Sequence, residues 1–100
     1  MKLETLGHAC TLLTDDDGQP FLLTDPWLVA STYWRSWWLQ NYPTQAKIAA
    51  LSAVQFAYIT HEHPDHFHPP SPRKLGTKPL FLSPDLPANP ILISLHEHEF

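Results

Sequence analysis

The chain begins with alternation. Leu3 and Thr5 are interleaved with charged Lys2 and Glu4, the period-two pattern of a half-buried strand. After a bend at Gly7-His8, a second run from Ala9 to Thr14 is apolar and β-branched, and a third follows at Phe21-Leu22-Leu23-Thr24. Between the second and third lies Asp15-Asp16-Asp17-Gly18, which is turn chemistry, so the pattern predicts a β-hairpin with an acidic tip. The acidic triplet lacks the alternate-position spacing of an EF-hand calcium loop. Pro26 has no N–H for a ladder and biases the residue before it toward an extended conformation, so Asp25 is expected, extended, at a strand end.

The pattern then changes. From Trp27 to Tyr42, six of the chain's twelve aromatic residues (Trp27, Tyr33, Trp34, Trp37, Trp38 and Tyr42) crowd around one cation, Arg35. Positions 34, 37, 38 and 41 fit a helical stripe and predict a short helix that packs on the core or on another subunit, a route to a homo-oligomer. The competing reading is an aromatic lip beside a substrate pocket. Thr44 to Ser52 reads as a short helix and Ala53 to Thr60 as a buried strand. Ser71 as cap, Pro72 at the first helical position and Gly76 as terminator predict a turn or two of helix. Leu80 to Leu82 and Ile91 to Leu95 are further strand candidates. The elements describe an α/β (α+β) chain with a mostly antiparallel or mixed sheet and short helices.

Composition narrows the classes. One hundred residues, 43% hydrophobic, make at most one small domain, and no repeat or linker divides residues 1–100. A formal net charge of −4 and only six Lys plus Arg leave no electrostatic footprint for nucleic acid or an anionic membrane. The single cysteine, Cys10, excludes an intrachain disulfide and reads as a strand core residue, and the first ten residues lack a secretory layout. The apolar run from Ile48 to Thr60 is shorter than the roughly 20 residues a spanning helix needs. A cytoplasmic protein acting on a small molecule is expected.

The chemistry lies in Thr60-His61-Glu62-His63-Pro64-Asp65-His66-Phe67-His68. With seven His in the chain, composition alone would produce the His-x-His-x-Asp-His pattern in only about two of every thousand such chains. In an extended segment residues two apart share a side, so His61 and His63 can reach one cation together, while Glu62 points away to solvent. Pro64 keeps His63 extended and opens the following turn, so Asp65 and His66 project differently. That divergence suits two ions about 3.5–4 Å apart sharing one activated water. Imidazole with carboxylate favours zinc; manganese or iron can take similar sets.

With this motif after an apolar strand, Gly7-His8-Ala9 near the start and Asp25-Pro26-Trp27 at a strand end, the chain resembles the metallo-β-lactamase superfamily, in particular its branch similar to ascorbate-6-phosphate lactonase. The resemblance implies the N-terminal half of a four-layer αββα sandwich, hence a single, incomplete domain over residues 1–100. It also implies His61, His63, Asp65 and His66 as metal ligands, with Asp65 central to catalysis, Asp25 orienting a ligand histidine, and His8 and Trp27 near the pocket. The family draws another histidine, a metal-bridging aspartate and a final histidine from its later part. His96 and His98 form a second His-x-His pair that would complete the site or else lie on an exposed edge strand. Three functions follow: a metal-dependent hydrolase of an ester, lactone, amide or phosphodiester; a non-catalytic metal-binding protein; or an iron-dependent oxidoreductase on the same fold.

Overall fold

The computed structural model describes residues 1–61, 63–85 and 89–97, apart from the side chains of Leu92, Ser94, His96 and Glu97 in the last helix. Three antiparallel strands open the chain: β1 (Lys2–Thr5), β2 (Thr11–Thr14) and β3 (Pro20–Thr24). The acidic tip closes the β2–β3 hairpin as expected, with Asp15 Oδ1 accepting from the backbone N–H groups of Asp17 and Gln19 at 3.0 and 2.9 Å. Two further strands, β4 (Ser31–Thr32) and β5 (Trp37–Trp38), form a separate antiparallel ribbon. Helix α1 (Gln45–Leu51) leads into β6 (Phe56–Tyr58), and α2 (Pro70–Arg73) into β7 (Leu80–Leu82). The last described element is α3 (Pro90–Glu97).

The main sheet has the order β1-β2-β3-β6-β7, with β3, β6 and β7 mutually parallel, so it is mixed. Leu12 and Leu23 face each other across β2 and β3, and both belong to a core with Cys10, Leu28, Leu51, Val54 and Leu75. Helix α1 begins where Thr44 caps it, its hydroxyl accepting from the Lys47 N–H at 3.1 Å, and Leu51 carries it into this core. A second, smaller core gathers Ile59, Phe67, Ile91 and Leu95, with Phe81 against it.

Four sequence expectations are corrected. The aromatic segment is not a helix: Ser31 pairs with Trp38 and Thr32 with Trp37, and Tyr33, Trp34 and Arg35 turn the ribbon at φ of 52°, 52° and 67°. Aromatic and β-branched residues are indifferent helix formers and fit a pleated ribbon better. The run from Ile91 to Leu95 is helix rather than strand. Ile91 and Leu95 are buried while Ile93 is 53% exposed, which is a spacing of four, not an alternation of two; a short apolar run does not reveal which. Asn89-Pro90 was the overlooked signal, a proline at the helix start.

Ser71 does not cap α2, which starts at Pro70; its buried hydroxyl instead accepts from the Leu28 and Val29 N–H groups at 2.7 and 3.3 Å. Finally, Asp25 is not extended: its φ is 39°, in the left-handed region that Asp tolerates better than most residues.

Candidate metal centre

The histidine-rich loop leaves the sheet at the carboxyl end of β6, where parallel strands leave a crevice that α/β proteins use for ligands. Strand pairing runs on past the strand ends: the Asp25 N–H donates to the Tyr58 carbonyl at 2.8 Å, and the Ile59 N–H to that of Leu82 at 2.9 Å. The left-handed turn at Asp25 then aims its carboxylate across the neighbouring chain. Asp25 Oδ1 accepts from the Thr60 N–H at 2.7 Å, and Oδ2 accepts from the Thr60 hydroxyl at 2.9 Å.

After His63 the chain turns sharply, with the His63 carbonyl accepting from the N–H groups of His66 and Phe67 at 2.9 and 2.8 Å. Asp65 and His66 therefore project from a turn while His61 and His63 project from the segment before it. The rings are neighbours, the His61 centroid lying 4.8 Å from that of His63 and 4.0 Å from that of His66, but the ligand atoms of His61 and His63 are not part of the group within 4.8 Å of one another that Asp65 and His66 form with His8. His66 Nδ1 sits 3.0 Å from Asp25 Oδ2. Because a carboxylate only accepts, that nitrogen is the donor, and a neutral His66 presents its lone pair at Nε2.

Asp65 is 7% exposed, and its carboxylate has three side-chain neighbours. His8 Nε2 lies 2.6 Å from Oδ2, the Tyr33 hydroxyl donates to Oδ1 at 2.9 Å, and His66 Nε2 is 3.3 Å from Oδ2. Burial alone would raise its pKa, but the His8 and Tyr33 hydrogen bonds outweigh it and hold the carboxyl below the usual carboxylate range. The same contact raises the Tyr33 phenol, since the proton that bonds Asp65 is harder to remove.

His8, Asp65 and His66 offer one nitrogen or oxygen each within 4.8 Å of one another. Two imidazoles and a carboxylate at this spacing are a donor set that fits a divalent transition ion. His8 reaches the cluster because Gly7, at a φ of 109°, and His8 itself, at 44°, bend the chain between β1 and β2. Its ring meets Trp27 and Trp37 edge-on, at centroid distances of 5.6 and 6.0 Å. Trp27 is 2% exposed and forms a floor beneath His8 rather than an open wall.

The sequence matches a known domain. The beta-lactamase superfamily domain matches residues 2–96. The chain belongs to the beta-lactamase superfamily. It is also 35% identical over 80 residues to cytidine monophosphate-N-acetylneuraminic acid hydroxylase of Sus scrofa, covering 80% of this chain and 17% of that protein. The Xenopus laevis hydroxylase is 35% identical over 87 residues, 87% of this chain and 14% of the relative. The inactive Homo sapiens form is 32% identical over 87 residues, again 87% of this chain, and 16% of the relative. The chain thus spans about one-sixth of the length of these curated relatives. No solved structure matches it.

Within the superfamily frame, the structure adds contacts that the sequence did not assign. Tyr33 and His8, far from Asp65 in sequence, both hydrogen-bond it, and only the Gly-His pair near the start hinted at one of them. His68 is structural: its Nδ1 is 2.9 Å from the Ser71 hydroxyl, it is buried, and burial lowers its pKa against the effect of a backbone hydrogen bond with Ser31. It tethers the root of the aromatic ribbon to α2. Cys10 is fully buried, and burial pushes its thiol up to about 12, so it is a core residue lying just before β2. The expectations for Glu62 and His98 lie outside the described residues; His96 falls in α3, not on a strand, and its side chain also lies outside them. Among the described residues no helix is long and apolar enough to cross a membrane.

Proposed function

We propose that the chain supplies the ligand loop of a metal-dependent hydrolase that acts on a small-molecule ester, lactone, amide or phosphodiester. His61, His63, Asp65 and His66 are the ligands in this reading, with His8 as a further donor and zinc as the ion. One observation carries it. His66 Nε2 and Asp65 Oδ2 face each other at 3.3 Å while His66 Nδ1 is committed to Asp25. Two acceptors pointing at one another are stabilised by a cation between them.

A divalent ion bound there would lower the pKa of water toward about 7 and polarise the scissile group. The chain's own residues do the rest. Asp25 orients His66, and Tyr33 and His8 keep Asp65 ionised and aimed into the cluster. The Trp37 ring, against His8, covers one side of the site. His8 donates to Asp65 through Nε2, so ligation through that nitrogen would require its proton to move to Nδ1, the other neutral tautomer.

A second reading, an iron-dependent oxidoreductase, is favoured by the name shared by the relatives, which are hydroxylases. One experiment separates the two. The chain is loaded with zinc or, anaerobically, with ferrous iron, and each form is offered lactone, ester and phosphodiester probes. Both are also given cytidine monophosphate-N-acetylneuraminic acid with oxygen and a reductant. Hydrolysis by the zinc form that is lost on chelation supports the proposal. Oxygen consumption by the iron form, with a product heavier by one oxygen atom and no hydrolysis by either form, replaces it with the second reading.

A further inference from the structure

The hydroxyl of Thr60 stands between two groups of the site. It is 2.9 Å from Asp25 Oδ2 and 2.8 Å from His61 Nδ1. A hydroxyl has one proton and two lone pairs, whereas the Asp25 carboxylate, when ionised, only accepts. The Thr60 proton must therefore go to Asp25, which leaves the Thr60 oxygen as acceptor toward His61. It follows that His61 Nδ1 carries the proton and Nε2 carries the lone pair.

The same carboxylate oxygen sets the same tautomer at His66 by direct contact, at 3.0 Å. The backbone makes the relay rigid, because the Thr60 N–H is itself fixed to Asp25 Oδ1 at 2.7 Å. We infer that Thr60 is a positioning residue which carries the acceptor character of Asp25 on to His61, so that one aspartate sets the tautomers of two cluster histidines and turns both Nε2 lone pairs outward. The consequence for ion binding rests on the metal-site reading above; the tautomer itself does not.

The test uses metal-free, 15N-labelled chain at about pH 8, where histidines are mostly neutral, and reads ring tautomers from long-range proton–nitrogen correlations. His61 and His66 should both be Nδ1–H in the native chain and in Thr60→Ser. In Thr60→Val, His61 should shift toward the Nε2–H form while His66 stays as it was, which also shows that the fold survives. Zinc affinity, measured against a chromophoric chelator, should fall about 10–100-fold in Thr60→Val and recover in Thr60→Ser. An Nε2–H tautomer at His61 in the native chain would overturn the relay with no variant needed. So would an unchanged His61 tautomer in Thr60→Val. A native chain that shows the expected tautomers but takes up no zinc would stand for the relay and against the metal site.

Discussion

The β1–β3 meander and the aromatic ribbon follow one another along the chain, yet they are made in different ways. In the meander, Leu12 meets Leu23 across an antiparallel ladder whose register shifts only between Leu13 and Thr14, and both of these side chains are buried. In the ribbon, Trp34, Trp37 and Trp38 are 94%, 47% and 61% exposed, and the turn is made by consecutive residues with positive φ. Every non-glycine residue with positive φ among those described lies in the site or in the segment over it: His8, Asp25, Ala30, Tyr33, Trp34 and Arg35. Each such residue costs about 1–2 kcal/mol in the left-handed region. The fold accepts that cost where side chains must be aimed, and hydrogen bonds hold the result. The Ala30 carbonyl accepts from Trp27 Nε1 at 3.2 Å and from the Tyr42 hydroxyl at 2.5 Å, and Tyr33 is tied to Asp65. The meander supplies stability and the ribbon supplies placement.

If that division is right, substitutions should separate the two regions. The largest loss should come from Leu23→Ala, which opens a cavity in the main core and should cost about 2–5 kcal/mol in urea unfolding. Next is a pH effect from the same core. Burial pushes the pKa of the Cys10 thiol up to about 12, from its ordinary value of 9.0. The folded state then holds a proton that the unfolded state gives up. Stability should be fully present below about pH 9 and decline by up to about 1.4 kcal/mol per pH unit from there toward pH 12. Comparing the native chain with Cys10→Ala isolates this slope, and a thiol reagent at pH 8 should label the folded protein far more slowly than the unfolded one.

Tyr33→Phe should change stability less than either core effect, because the hydroxyl it removes is open to solvent. It should also raise the Asp65 carboxyl, because one of the two hydrogen bonds that hold it down is gone; a carboxyl carbon titration followed by NMR reads this directly. Trp34→Ala should be the mildest, within about 0.5 kcal/mol, because the ring is almost wholly exposed. A loss of 2 kcal/mol or more there would mean that the ribbon is part of the stability core after all.

The two regions also differed in how far they could be read from sequence. Alternation and turn chemistry placed β1, β2, β3 and the acidic hairpin tip, and Thr44 marked the start of α1, because those signals are local. The ribbon was misread as a helix because aromatic residues at spacings of three and four fit a helical stripe as well as they fit a two-stranded turn. The α3 segment was misread because Ile91, Ile93 and Leu95 satisfy both periods, and only burial separates them. At the site, the motif itself points to His61, His63, Asp65 and His66; the structure brings ligand atoms of Asp65 and His66 within 4.8 Å of one another together with His8, while His61 and His63 stand beside them as neighbouring rings. The contacts of Tyr33 and His8 with Asp65 were not legible, since they join residues 32 and 57 positions apart through a left-handed turn that no local pattern announces.

The central claim is that the cluster at the end of β6 holds a divalent ion. It is tested most directly by elemental mass spectrometry on tag-free protein dialysed after exposure to zinc, with a His61→Ala, His63→Ala double variant alongside. The account predicts zinc retained by the native chain and lost from the double variant, with both proteins folded. Equal zinc in the two, or none in either, would contradict it.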